Sequence, residues 1–169
     1  MVFLSFISSD IASDIIYEGK SVGKIEIGMT VFQVDSILKS EPKKIIWTNH
    51  SYEYRYNKQG ISVYELQNDS THTIFAITVY PNKWRGKTNK GLRINKKLKI
   101  KDVIDIYGSP EWSYTTDCSE LDAEYEYIGV YFSVDTIGGI CDETEINHDS
   151  LFYNNKVIEL TIGKEGTDY

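Results

Sequence analysis

Apolar positions along this chain switch between two periods. Lys24-Ile25-Glu26-Ile27 alternates every second residue, as a half-buried strand does. Gly28-Met29 then leads into a stretch in which Val31, Val34, Ile37 and Leu38 fall on one side of a helix. Thr30 and Gln33 stand at the spacing of a capping box, and Glu41-Pro42 stops the helix. Alternation resumes at residues 51–56, 60–66 and 74–80, with a polar turn at Asn68-Asp69-Ser70 before the last of them. The pattern predicts a strand, a helix and three antiparallel strands.

The same order recurs about 69 residues further on. Gly91-Leu-Arg-Ile94 answers Gly23-Lys-Ile-Glu-Ile-Gly28, Val103, Ile106 and Tyr107 answer Val34, Ile37 and Leu38, and Gly129-Val-Tyr-Phe132 answers Gly60-Ile-Ser-Val63. The second copy predicts a helix over 100–107, ended by Gly108 and Pro110, and strands near 123–127, 130–134 and 156–162. Lys99 occupies the place of Thr30, so the second helix lacks that N-cap, and its charge opposes the positive helix end. The copies differ most in the last hairpin, where the second inserts residues 135–155. The division that follows is an N-terminal extension at 1–22, a first unit at 23–82, a basic linker at 83–90 and a second unit at 91–169.

A chain of 169 residues suits one domain or two small units sharing a sheet. Its 13 tyrosines favour strands and, where exposed, contact surfaces. No apolar run approaches the length of a membrane-spanning helix. The opening Met-Val-Phe-Leu-Ser-Phe-Ile lacks a basic flank and ends at Ser8-Ser9-Asp10, so a cytoplasmic address is expected. Cys118 and Cys141 are read either as two free thiols or as a bridge between loops. With three scattered histidines they lack zinc-ligand spacing, and neither a metal nor a cofactor is expected.

Charge is polarised along the chain. Between Asp102 and Asn155 there are 13 acidic residues and no Lys or Arg, whereas Lys83 to Lys101 holds nine basic residues and no acidic one. Such a field either steers a basic partner or is neutralised within the fold, and it disfavours broad contact of the acidic half with nucleic acid. Enzyme motifs fail residue by residue. Gly86-Lys87-Thr88 has Pro81 where a phosphate loop needs glycine, and no Gly-x-Ser-x-Gly or His-Glu-x-x-His occurs. Asp142-Glu-Thr-Glu145 does not match a calcium-hand loop.

The spacing Gly-x-Ile-x-Ile-Gly-Met-Thr, a short apolar-faced helix ending near Pro, and then Tyr-rich hairpins resembles the small repeat of the SmpA/OmlA type of outer-membrane assembly lipoproteins. Two such units in one chain resemble the beta-lactamase inhibitory protein fold. The resemblance implies an α+β fold of two tandem helix-plus-antiparallel-hairpin repeats, forming one continuous antiparallel sheet with helices packed on one face. Ile61, Val63, Phe75, Ile77, Val79, Val130, Phe132, Val134, Ile158, Leu160 and Ile162 would then meet the helices. Tyr64, Tyr80, Tyr131 and Ser133 would line the other face, open to a protein partner.

The expected function is that of a non-enzymatic inhibitor, a bacterial immunity protein that neutralises a toxin or enzyme by occluding its active site. The expected partner is basic, and the chain itself a monomer or weak homodimer. Tyr64, Tyr131 and Trp112 are the candidate anchors, and Asp117, Glu120, Asp122, Asp142, Glu143, Glu145 and Asp149 the steering acids. The alternative is a scaffold module related to the envelope assembly lipoproteins.

Overall fold

The computed structural model describes residues 14–48, 50–114, 120–125, 128–135 and 153–163. Among them, 13 strands form two sheets of five and eight strands, with only two short helices. The protein is mostly β, about 14% helical, which overturns the expected α+β class and its single sheet of helix-plus-hairpin repeats. The physical reason lies in segments that carry little periodicity. Within the expected extension, β1 (Ile15–Tyr17) and β2 (Ser21–Val22) form a hairpin, and β3 (Ile25–Glu26) adds to it. The expected linker holds β8 (Gly86–Thr88), which pairs parallel with β1 and antiparallel with β9 (Arg93–Ile94). Strands of two or three residues are too short to show alternation, and a parallel pairing between distant segments leaves no local mark.

The larger sheet runs β10-β11-β12-β13-β7-β6-β5-β4, antiparallel throughout. Its first-half strands are β4 (Lys43–Ile46), β5 (Ser51–Tyr56), β6 (Ile61–Leu66) and β7 (Ile74–Val79). Its second-half strands are β10 (Glu111–Tyr114), β11 (Glu120–Tyr125), β12 (Val130–Asp135) and β13 (Val157–Gly163). The halves join where β13 pairs β7, with Leu160 opposite Val79 and Ile162 opposite Ile77.

The helices are α1 (Val31–Leu38) and α2 (Ile100–Tyr107). Thr30 and Gln33 form the capping box of α1: the Thr30 hydroxyl accepts from the Gln33 N–H, and Gln33 Oε1 accepts from the Thr30 N–H at 2.8 Å. Lys99 has no acceptor to offer α2, so half of that arrangement survives, the Asp102 carboxylate accepting from the Lys99 N–H at 3.0 Å. Each helix start is stitched to the head of its last strand. Thr30 bridges Thr73, and Lys99 bridges Lys156.

One core lies against one face of the eight-stranded sheet. Val34 of α1, with Ile100, Val103 and Tyr107 of α2, joins Ile16, Val22, Ile25, Leu92 and Ile94 of the small sheet on Tyr56, Ile61, Val63, Tyr125, Phe132, Leu160 and Ile162. Tyr107 packs its ring 5.3 Å from Tyr125 and 5.7 Å from Phe132. Two expected face assignments are corrected by β-bulges. Between Tyr64 and Glu65 the register shifts so that Ile74 enters the core and Phe75 sits beside Tyr64. Between Ser133 and Val134 the same shift puts Val157, rather than Ile158, in the core. An extra residue on one strand reverses the alternation beyond it, which sequence periodicity does not register.

Candidate functional site

Among the described residues both helices lie on the core side, which leaves the second face of the large sheet to polar and aromatic side chains. Directly opposed residues form a row across all eight strands: Lys43, Arg55, Ser62, Thr78, Thr161, Tyr131, Glu124 and Glu111. The row is basic at its β4 end and acidic at its β10 end. Beside it on the same face stand Glu53 and Tyr64 in the first half, and Ser133, Glu159 and Asp122 in the second.

Glu53 is the most confined charge here, at 1% exposure. Its carboxylate accepts from Arg55 Nε at 2.9 Å and Nη2 at 2.7 Å, from the Ser62 hydroxyl at 2.6 Å and from the Tyr80 hydroxyl at 3.4 Å. A carboxylate taken out of water needs partners of this number. The same pairing holds the Arg55 guanidinium firmly charged, its affinity for the proton raised chiefly by the bond to Glu53. Thr78, buried next to Ser62, shares a 2.7 Å hydrogen bond with Thr161, so the polar row crosses the junction of the halves.

An aromatic corner flanks this network. Tyr64 is buried, which pushes its phenol far above the usual tyrosine range. Trp47 meets it edge-on with ring centroids 5.3 Å apart, and Phe75 lies 6.3 Å away on the other side. Trp47 and Leu66 remain about half exposed, at 51% and 47%. A half-exposed indole seated on a buried aromatic base, with a half-exposed leucine on the same face, has the form of an interface anchor.

The structure separates the candidates named from sequence. Tyr64, Tyr131 and Asp122 share the helix-free face, Tyr64 as its buried base. Glu120 takes the register position opposite Asp135 on β11. Trp112, opposite Ala123, takes the core face and packs partly buried against the core, because β10 is a strand in register with β11. Trp84, in the expected linker, is buried in the core. Asp117, Asp142, Glu143, Glu145 and Asp149, with Cys118 and Cys141, lie outside the described residues.

Sequence reasoning missed Trp47, Leu66 and the Glu53–Arg55 pair as site residues. Glu53 and Arg55 alternate with Tyr52, Tyr54 and Tyr56, which does mark them for the opposite face. Trp47 follows Lys43-Lys44-Ile45-Ile46, a strand with no alternation to announce it. Across the sheet, on the core face, Lys44 stands 3.5 Å over the Tyr52 ring, a cation–π contact at the outer strand. Among the described residues no group of three His, Cys, Asp or Glu could hold a metal ion, and no helix is long and apolar enough to cross a membrane.

No family model matches the chain, and no curated protein matches it. Solved structures similar to it include the following two. The uncharacterized protein yfeY from Escherichia coli superposes with a TM-score of 0.53 at 10% identity, over 87% of this chain and 95% of that one. A cysteine-rich secretory protein from Staphylococcus aureus gives a TM-score of 0.42 at 11% identity, over 88% of this chain and 48% of that one. The first likeness concerns the fold alone, and the second is too loose to bear on fold or function.

Proposed function

We propose that this chain is a protein-binding inhibitor of the immunity type, acting in the cytoplasm, which covers the active site of a basic toxin or enzyme with the helix-free face of its large sheet. The observation that carries the reading is the pairing on one face of half-exposed anchors, Trp47 and Leu66, with a polar row that passes Tyr131 and ends in the carboxylates of Glu124 and Glu111. Anchors of this kind supply most of the affinity of a typical interface, while opposed charges raise the association rate and fix the register. The resemblance to the beta-lactamase inhibitory protein fold, carried by the tandem arrangement of two units about 69 residues apart, points the same way.

Affinity capture from the source cell's lysate, followed by mass spectrometry at moderate salt, tests this reading. Recovery of one basic enzyme or toxin in near-equal amount is the expected result. Recovery of envelope assembly components would replace it with a scaffold. Reversing Glu111, Asp122 and Glu124 to lysine should slow association with the captured partner and flatten its salt dependence. An unchanged on-rate would remove electrostatic steering from the account.

A further inference from the structure

Beside the polar row, toward the β5–β6 turn, Arg55 opens onto a cavity of about 190 Å³ lined also by Asn57, Tyr80, Asn82, Lys83 and Glu159. We propose that this cavity is a binding site for a carboxylate group, with Arg55 as the recognising side chain and Lys83 as a second positive charge.

The argument begins with the state of the guanidinium. Glu53 engages the Nε and Nη2 edge of Arg55 through a two-bond fork, which fixes the plane of the group. Nη1 makes no hydrogen bond among the described residues, so Nη1 and the second Nη2 hydrogen present another two-donor edge. An edge of that shape matches the two oxygens of a carboxylate, and its orientation is fixed before any ligand arrives. Burying Glu53 on the face away from the core is a poor way to gain stability, because desolvation offsets most of the attraction between the paired charges. Aiming Arg55 gives the arrangement a purpose.

The opposite wall is also held in place. Arg85 donates to the carbonyls of Pro81 at 2.6 Å, Trp84 at 2.7 Å and Asn82 at 3.3 Å, which pins the turn that carries Asn82 and Lys83. Gly60, at φ +66°, lets that turn close on the β5–β6 turn, since a Cβ there would stand 2.6 Å from the Lys83 Cβ. Two turns are therefore brought together around a small polar space. A space of this size, with Arg55 and Lys83 as its cations, fits a carboxylate with a short substituent. That group can come from a free small acid, from the C-terminus of a protein or from an acidic side chain.

Titration of the isotope-labelled chain, followed by NMR at the Arg55 Nε–H and at constant ionic strength, tests the site without any protein partner. The probes are acetate, N-acetylalanine for a chain terminus, and the α-amide of N-acetylaspartate for a side chain. At least one should shift the resonance saturably, and the tightest of the three identifies the source. Arg55→Lys keeps the charge but loses the fork and should weaken binding by roughly tenfold. Lys83→Gln removes the second positive charge and should weaken it severalfold, which keeps the test decisive if Arg55→Lys perturbs folding. Shifts that stay linear for all three probes, or saturation unaltered by both substitutions, would overturn the proposal. Because the titration involves the chain alone, its failure is separate from a failure of the docking reading.

Discussion

The two halves of the large sheet share their core side and differ on the other. Helices α1 and α2, strands β5 and β11, and strands β6 and β12 correspond at a spacing of about 69 residues, as the sequence recurrence does. On the core side, Val34 is matched by Val103, Tyr56 by Tyr125, Ile61 by Val130 and Val63 by Phe132, all buried. Even the bulges correspond, at Tyr64/Glu65 and at Ser133/Val134. On the helix-free side the matched positions hold different chemistry. Glu53, Arg55 and Ser62 are joined by hydrogen bonds beside the buried Tyr64, whereas Asp122, Glu124, Tyr131 and Ser133 are half-buried and bring two carboxylates. The shared side answers to packing, which tolerates only apolar residues of suitable volume, so the divergent side is where a specific role is to be sought.

The comparison can be broken first at the core. Phe132 fills in the second half the place that Val63 fills in the first. Phe132→Ala should cost about 3–5 kcal/mol and Val63→Ala roughly 2 kcal/mol by urea denaturation. Equal losses would mean that the two positions are not packed in corresponding ways. Next comes the polar side. Glu53→Gln leaves Arg55 without its charged partner and should cost about 1–3 kcal/mol, while Asp122→Asn, at the matching position where one carboxylate oxygen is buried without a partner, should not destabilise the fold. A neutral Glu53→Gln would deny that the first-half network is tightly held.

The helix starts sharpen the contrast on a smaller scale. Thr30→Ala should lose about 1 kcal/mol, whereas Lys99→Thr, which restores the missing cap, should gain roughly 0.5 kcal/mol. A destabilising Lys99→Thr would show that the lysine has a role beyond its place in the recurrence. The smallest effect is expected at the turn before β7. There the Thr71 hydroxyl and N–H, bonded to Asp69, hold its carboxyl at about 2. Because this value lies below the usual carboxylate range, the contribution is complete above about pH 4 and disappears as pH falls through the folded value. The Thr71 amide resonance should move with that titration, and a resonance that moves instead near the ordinary aspartate value would show that Asp69 is unconstrained.

What the sequence discloses is the part of the fold written in periodicity. Val31, Val34, Ile37 and Leu38 mark α1, and Thr30 with Gln33 marks its start, because helix period and cap chemistry are local. Ile61 and Val63, or Val130 and Phe132, likewise disclose their core-facing sides. The second sheet is not legible, since it depends on Ile15 and Ile16 pairing in parallel with Lys87 and Thr88 across some seventy positions. Nor are the sides taken by Phe75 and Ile158, which bulges decide, or the core position of Trp112, which depends on the register of β10. At the candidate site, Tyr64 and Tyr131 emerge from alternation, whereas Trp47 and the aim of Arg55 exist only once neighbouring strands are in place.

The central claim is that the helix-free face of the large sheet receives a protein partner. The most direct measurement compares the affinity of the captured partner for three forms of the chain: wild type, Trp47→Ala with Leu66→Ala on that face, and Phe32→Ala on exposed helix α1, where Phe32 is 78% exposed. The account predicts a loss of roughly 2 kcal/mol or more in binding for the double variant and no change for Phe32→Ala. Undiminished binding by the double variant, or loss confined to Phe32→Ala, would contradict it.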